Sequence, residues 1–263
     1  MSVKKFVDAA SLLMREGHSL MALSQVLIAV SGSARKRFPQ GTLSDNKAFK
    51  TFLGTELRRK LFRYVGNEDA SSGIVVGIDG KDHPLENIIY DKYRCSLLHE
   101  AQLSDEVDLV EGGDTSVVSI SRENGKLVLG DSWVDLLIAV VLEAPCNAEE
   151  FGRKCYELRR VGDFDEELFR TELSKNYLPF PFDDLPFPLF EFIHFISHFP
   201  GENLVDEDDA QLQKHFEDAI FAGAVRGGPG LIDRALIRQD NQLTETGLAV
   251  VRAVCERYQM VEL

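Results

Sequence analysis

The chain has 263 residues and a formal net charge of −14 at pH 7, with 44% hydrophobic and 27% charged residues. Such a balance excludes a disordered or fibrous chain, and the length supports a sizeable core divided between two modest domains. The acidic excess also excludes a protein that coats nucleic acid nonspecifically, because phosphate contacts need clustered Lys and Arg.

That charge is unevenly spread. Residues 1–103 hold 15 Lys and Arg against 11 Asp and Glu, a balance of +4, which leaves −18 for the remainder. Two basic knots lie in the first part, Arg35-Lys36-Arg37 and Arg58-Arg59-Lys60 with Arg63. Solvated helix faces and helix C-termini that favour cations account for such knots; a phosphate-binding rim is the functional alternative. The apolar run from Leu20 to Val30 is too short to span a bilayer, and Arg15, Glu16 and His18 ahead of it do not suit a signal peptide. A cytoplasmic protein is expected. The four cysteines, at 95, 146, 155 and 255, have no Cys-x-x-Cys spacing and read as reduced thiols, without a zinc or disulfide framework.

In chain order, Val3 to Val30 has a helical pattern whose second stretch, from Leu20 to Val30, is apolar enough for a buried helix ending near Ser31-Gly32-Ser33. Ser44 is placed to cap a longer helix, carried by Phe49, Phe52, Leu53, Leu57, Leu61 and Tyr64 and ended by Gly66-Asn67. A short strand-like piece, Ile74 to Ile78, leads to Pro84 in the first turn of a helix expected to run to about Leu103. Ser116 to Ile120 and Lys126 to Leu129 flank Asn124-Gly125, a strong hairpin signal. Ser132 with Asp135 then opens a very apolar helix, Trp133 to Leu142, and Pro145 closes this half.

The second half opens with Asn147 and Glu150 as a capping-box pair for a helix ending near Arg159-Arg160, and an acidic helix start follows at Asp163 to Glu167. Residues 178–188 repeat Leu-Pro-Phe-Pro and read as an extended connector. Helices are expected from Leu189 to Phe199, Gln211 to Val225 and Thr244 to Tyr258, with a turn at Gly227-Gly228-Pro229-Gly230 that lacks the ending of a phosphate-binding loop. Glu191, His194 and His198 share a helical face but lack the His-Glu-x-x-His order, and their apolar neighbours mark a core, so no metal is expected there. Cys155 and Cys255 have no paired base. The Leu243-Thr244-Glu245-Thr246-Gly247 string resembles the closing part of some winged-helix domains, over about twenty residues.

The most chemistry-bearing segment is Tyr90-Asp91-Lys92-Tyr93-Arg94-Cys95-Ser96-Leu97-Leu98-His99-Glu100, which sets an arginine five residues ahead of a histidine in a helix. A fixed cation beside a titratable imidazole suits proton transfer on a phosphate ester. At 100° per residue the two project about 140° apart, so only the reach of the arginine or a second subunit lets both meet one phosphate.

Here the sequence resembles the HEPN superfamily, whose four- to five-helix bundles carry an Arg, four to six variable residues and a His on the third major helix. The resemblance implies a mainly α protein: residues 1–145 as an HEPN-like helical bundle with an inserted β-hairpin, and residues 146–263 as a smaller, acidic, mostly helical domain of unassigned role. It implies a homodimer in which both copies of the motif face a shared cleft and cut RNA without metal or cofactor. In that role, typical of toxin-antitoxin or defence ribonucleases, His99 is the general acid or base and Arg94 stabilises charge on the phosphate. Tyr90, Tyr93, Cys95 and Ser96 are the binding candidates around the pair, with Arg58 and Arg59 as the rim. Cys95 departs from the polar Asn or Asp that usually follows the arginine, which leaves open a non-catalytic module that binds RNA, nucleotide or another ligand, or a protein partner. The acidic second half is the candidate docking element for such a partner.

Overall fold

The computed structural model describes residues 2–62, 69–78, 80–110, 118–178 and 187–262. The chain is mainly helical and divides into two compact units, Met1–Cys155 and Tyr156–Leu263.

The first unit is built around one helix. α1 (Val3–Arg15), α2 (Ser19–Arg37) and α3 (Asp45–Phe62) are followed by a small antiparallel pair, β1 (Val75–Ile78) and β2 (Lys81–Pro84). A composite helix then runs through α4 (Leu85–Ile88), a π-helical turn (Ile89–Arg94) and α5 (Cys95–Glu100), and ends where Ala101 turns left-handed. β3 (Val107–Val110), β4 (Ile120–Glu123) and β5 (Lys126–Gly130) make a sheet with β5 in the middle, parallel to β3 and antiparallel to β4. α6 (Ser132–Glu143) follows, and two single 3₁₀ turns, Pro145–Asn147 and Glu149–Phe151, complete the unit.

α2 is apolar on most of its surface, and it packs against α1, α3, α6 and the first 3₁₀ turn. Leu23, Val26, Leu27, Ala29 and Val30 are all fully buried. The helix does not stop at Ser31-Gly32-Ser33 but continues to Arg37. Gly32 is a packing position, since a Cβ there would lie 3.0 Å from Val3 Cγ2 of α1, while Ser31 and Ser33 return their hydroxyls to Leu27 O and Ala29 O. The helical pattern beginning at Val3 is two helices, broken at Gly17.

Asn124 and Gly125 take positive φ, as a two-residue hairpin requires, and join β4 to β5. Ser44 Oγ accepts from Lys47 N at the start of α3. The expected end of that helix at Gly66-Asn67, with Arg63 and Tyr64, lies outside the described residues, as do Ser116 and residues 179–186 of the Pro-rich connector.

In the second unit, β6 (Tyr156–Arg160) pairs antiparallel with β7 (Tyr258–Glu262) at the far end of the chain. Between them lie α7 (Glu166–Tyr177), α8 (Leu189–His198), α9 (Asp209–Phe221), the short α10 (Pro229–Ile232) and α11 (Glu245–Cys255). Phe192, Phe195 and Phe216 form the aromatic centre of the core. The helix expected from Asn147 to Arg160 is replaced by the 3₁₀ turns and β6, because both capping side chains are used elsewhere. Asn147 Nδ2 donates to Ser33 Oγ and Val141 O, each at 2.8 Å, and Glu150 Oε1 accepts from Ser2 Oγ and Lys4 N.

Candidate functional site

The Arg-x4-His segment lies where the composite helix crosses α2 and α3. Tyr90 and Arg94 are one turn apart, and the guanidinium carbon of Arg94 sits 4.9 Å above the Tyr90 ring and 5.5 Å from the ring of Phe49 on α3. Phe49 and Tyr90 meet edge to face at 5.1 Å. Arg94 Nε donates to Ser31 Oγ of α2 at 2.9 Å. This half-buried cation is therefore oriented by two rings and one hydroxyl, contacts that cost its charge little. Among the described residues no carboxylate pairs with it, and its two Nη groups make no hydrogen bond. Lys50 adds a second cation, 5.1 Å above the Tyr90 ring and 2.9 Å from Asp91. Burial raises the Tyr90 phenol above its ordinary value, opposed by the charge of Arg94, so the ring stays neutral beside it.

The sequence model of one protein family, Rv1289, matches residues 2–164. The chain belongs to the Rv1289 family. Searches of curated proteins and of solved structures found no match. The region matched to Rv1289 contains the whole of the Arg94 site.

The other sequence candidates in this Rv1289 chain have separate surroundings. His99 is exposed near the end of α5, and among the described residues it makes no hydrogen bond or ion pair. Tyr93 is fully buried, and its hydroxyl donates to Asp108 O at 2.9 Å and lies 3.3 Å from Leu127 O, tying the helix to β3 and β5. Cys95 is half-buried and Ser96 is buried. Arg58 is exposed on α3, and Arg59 bonds Glu56 Oε1 at 2.8 Å, about 15 Å along the helix from Phe49.

The basic knots are largely neutralised within the unit. Arg35 pairs with Asp45, Lys36 with Glu150, Arg37 with Glu56 and Asp69, and Lys60 with Glu143. Glu56 is buried between Arg37 and Arg59; desolvation raises its carboxyl above the usual range against the pull of both arginines. In the second unit, Glu191 is buried and accepts from Arg226 N at 2.8 Å, while His198 on the same helix is exposed. Burial pushes the Cys255 thiol up to about 12 and Cys146 to about 11, values at which neither forms a thiolate near neutrality.

Sequence reasoning missed Ser31, Phe49 and Lys50, which come from other helices and carried only helix-end, core and surface signals. It also missed a convergence of Glu202, Glu207 and His215 in the second unit. No described helix is long and apolar enough to cross a membrane.

Proposed function

We propose that the first unit is an HEPN-like bundle that binds a phosphate ester, of RNA or of a nucleotide, through Arg94. What carries this reading is the state of the arginine: a half-buried guanidinium held by Tyr90, Phe49 and Ser31, whose two Nη groups have no acceptor among the described residues. A planar donor fork fixed in this way suits two oxygens of one phosphate. Lys50, 5.1 Å above the same Tyr90 ring, supplies further positive potential.

The exposure of His99 favours a second reading, a metal-independent endoribonuclease of toxin or defence type. An exposed imidazole without a hydrogen-bond partner among the described residues is available to a substrate, and in a homodimer joined through the bundle the histidine of one copy would meet the arginine of the other. Binding is the common core of both readings.

The test is to titrate fluorescently labelled single-stranded RNA and nucleoside phosphates with the full chain and with Arg94→Ala, and in parallel to incubate an RNA pool with wild type and His99→Ala in EDTA. Saturable binding lost in Arg94→Ala supports the proposal, and cleavage lost in His99→Ala adds the enzyme. No binding to either ligand class, or binding indifferent to Arg94, refutes it.

A further inference from the structure

We infer that Glu202, Glu207 and His215 form a binding site for a divalent transition-metal ion in the second unit. One donor atom from each of the three lies within 4.8 Å of the other two. His215 Nε2 is 3.0 Å from Glu207 Oε2 and 3.3 Å from Glu202 Oε2. Neighbouring ligand atoms around a cation held by bonds of about 2.1 Å are separated by about 3.0 Å on an octahedron and about 3.4 Å on a tetrahedron. The two His215 separations match donors that share one ion.

A second observation concerns Glu207 Oε2. This atom is shielded from solvent and accepts no hydrogen bond from the described residues, although His215 Nε2 is only 3.0 Å away. A buried carboxylate oxygen without a donor is costly, and a cation placed between the two atoms removes that cost.

The supports of the three ligands are firm. α9 begins with a reciprocal capping box between Asp208 and Gln211, directly after Glu207. Arg252 of α11 fixes the same corner, donating from Nη2 to Glu207 O at 3.0 Å and from Nε to Asp209 Oδ1 at 3.0 Å. The His215 ring, two turns into α9, packs 4.5 Å from the Phe199 ring centroid. Glu202 is half exposed, which gives the ion a route from solvent.

One imidazole and two carboxylates suit Mn²⁺, Fe²⁺ or Zn²⁺ better than Ca²⁺ or Mg²⁺, which favour all-oxygen shells. Three protein ligands leave coordination positions for water or a substrate oxygen. The inference uses residues of the second unit alone and stands independently of Arg94.

The experiment uses Mn²⁺, which discriminates against the four free thiols by preferring oxygen and nitrogen donors. The full chain is dialysed against Mn²⁺, its metal content is measured, and pulsed electron paramagnetic resonance reads nitrogen coupling to the bound ion. One ion per chain is expected, with a histidine nitrogen coupling that disappears in His215→Gln and an affinity at least about tenfold weaker in Glu207→Gln. Circular dichroism checks each fold, and if His215→Gln unfolds, the affinity of Glu207→Gln decides. Absence of stoichiometric binding by the wild-type chain overturns the site and leaves a histidine paired with two glutamates. Coupling that survives His215→Gln, or affinity unchanged in Glu207→Gln, overturns it equally.

Discussion

Arg94 Nε donates to Ser31 Oγ at 2.9 Å, and the same hydroxyl donates onward to Leu27 O at 2.9 Å, so the motif arginine is fastened to the central helix of its own unit. The remaining face of the guanidinium is set by Phe49 and Tyr90. Ser31→Ala removes one charged hydrogen bond and leaves the stacking, so stability should fall by about 1–2 kcal/mol in urea denaturation. RNA or nucleotide affinity should fall several-fold in Ser31→Ala and at least about tenfold in Arg94→Ala. Equal affinities in the two variants would show that the hydroxyl, not the free Nη fork, was what mattered.

His99 behaves differently, because it is exposed and makes no hydrogen bond or ion pair with another described residue. His99→Ala should leave stability within about 0.5 kcal/mol of wild type. Any cleavage of RNA by the chain should vanish in this variant while binding persists. A ribonuclease assay and a binding titration on the same preparation separate those effects, and binding lost together with cleavage would move the histidine into the recognition surface.

Local signals in the sequence led to real features where the chemistry was local. Asn124-Gly125 gave the β4–β5 turn, and the helix expected from Thr244 is α11, which begins at Glu245. What failed depended on partners far along the chain. Asn147 and Glu150 look like a local capping box, but their polar atoms go to Ser33, Ser2 and Lys4, more than a hundred residues away. β6 was invisible because its partner is β7, at the chain's other end. The π-helical turn at Ile89–Arg94 has no residue signature, and Glu202, Glu207 and His215 looked like a solvated loop and a helix face until folding joined them.

Glu150 makes stability pH-dependent. The Lys36 ammonium, with Lys4 N and Ser2 Oγ, holds its carboxyl at about 2 against an ordinary 4.5. Because the folded value is the lower one, this carboxylate stabilises the fold fully above about pH 4.5, and the contribution is lost as pH falls towards 2. Glu56 acts in the opposite sense: its raised value favours the protonated fold, so its effect on stability is best at low pH and worsens as pH rises above 4.5. Denaturation midpoints measured from pH 6 down to pH 2 should therefore fall less steeply for Glu150→Gln than for wild type. Parallel curves would show that the ion pair with Lys36 does not hold in solution.

Tyr93 ties the motif helix to the sheet, and the tie can be cut without a cavity. Tyr93→Phe keeps the buried ring but removes the donor to Asp108 O. A loss of about 1–3 kcal/mol is expected, since the buried phenol's bond to the part-buried Asp108 carbonyl is lost. Urea denaturation followed by the fluorescence of Trp133, which is buried in the same core, reads it. A neutral substitution would mean that water replaces the hydroxyl at the strand edge.

Gly247 has the most severe expectation. A Cβ at this position would lie 1.9 Å from Leu236 O, well inside contact distance, and both partners are backbone. Thr244 pins them together: its N–H donates to Leu236 O at 3.1 Å, and its Oγ1 donates to Ala235 O at 2.6 Å while accepting from Gly247 N. Leu243 bridges Ile237 just beyond. The start of α11 cannot shift without breaking these bonds, so Gly247→Ala should destabilise the chain by at least about 3 kcal/mol, although alanine is otherwise the better helix former. Thr244→Ala, which removes the cap and leaves the backbone contact, should cost only about 1 kcal/mol. Thermal denaturation of the two variants against wild type checks the ordering. A Gly247→Ala protein that melts with wild type would show that the Leu236 carbonyl yields freely and that the glycine is not fixed by this contact.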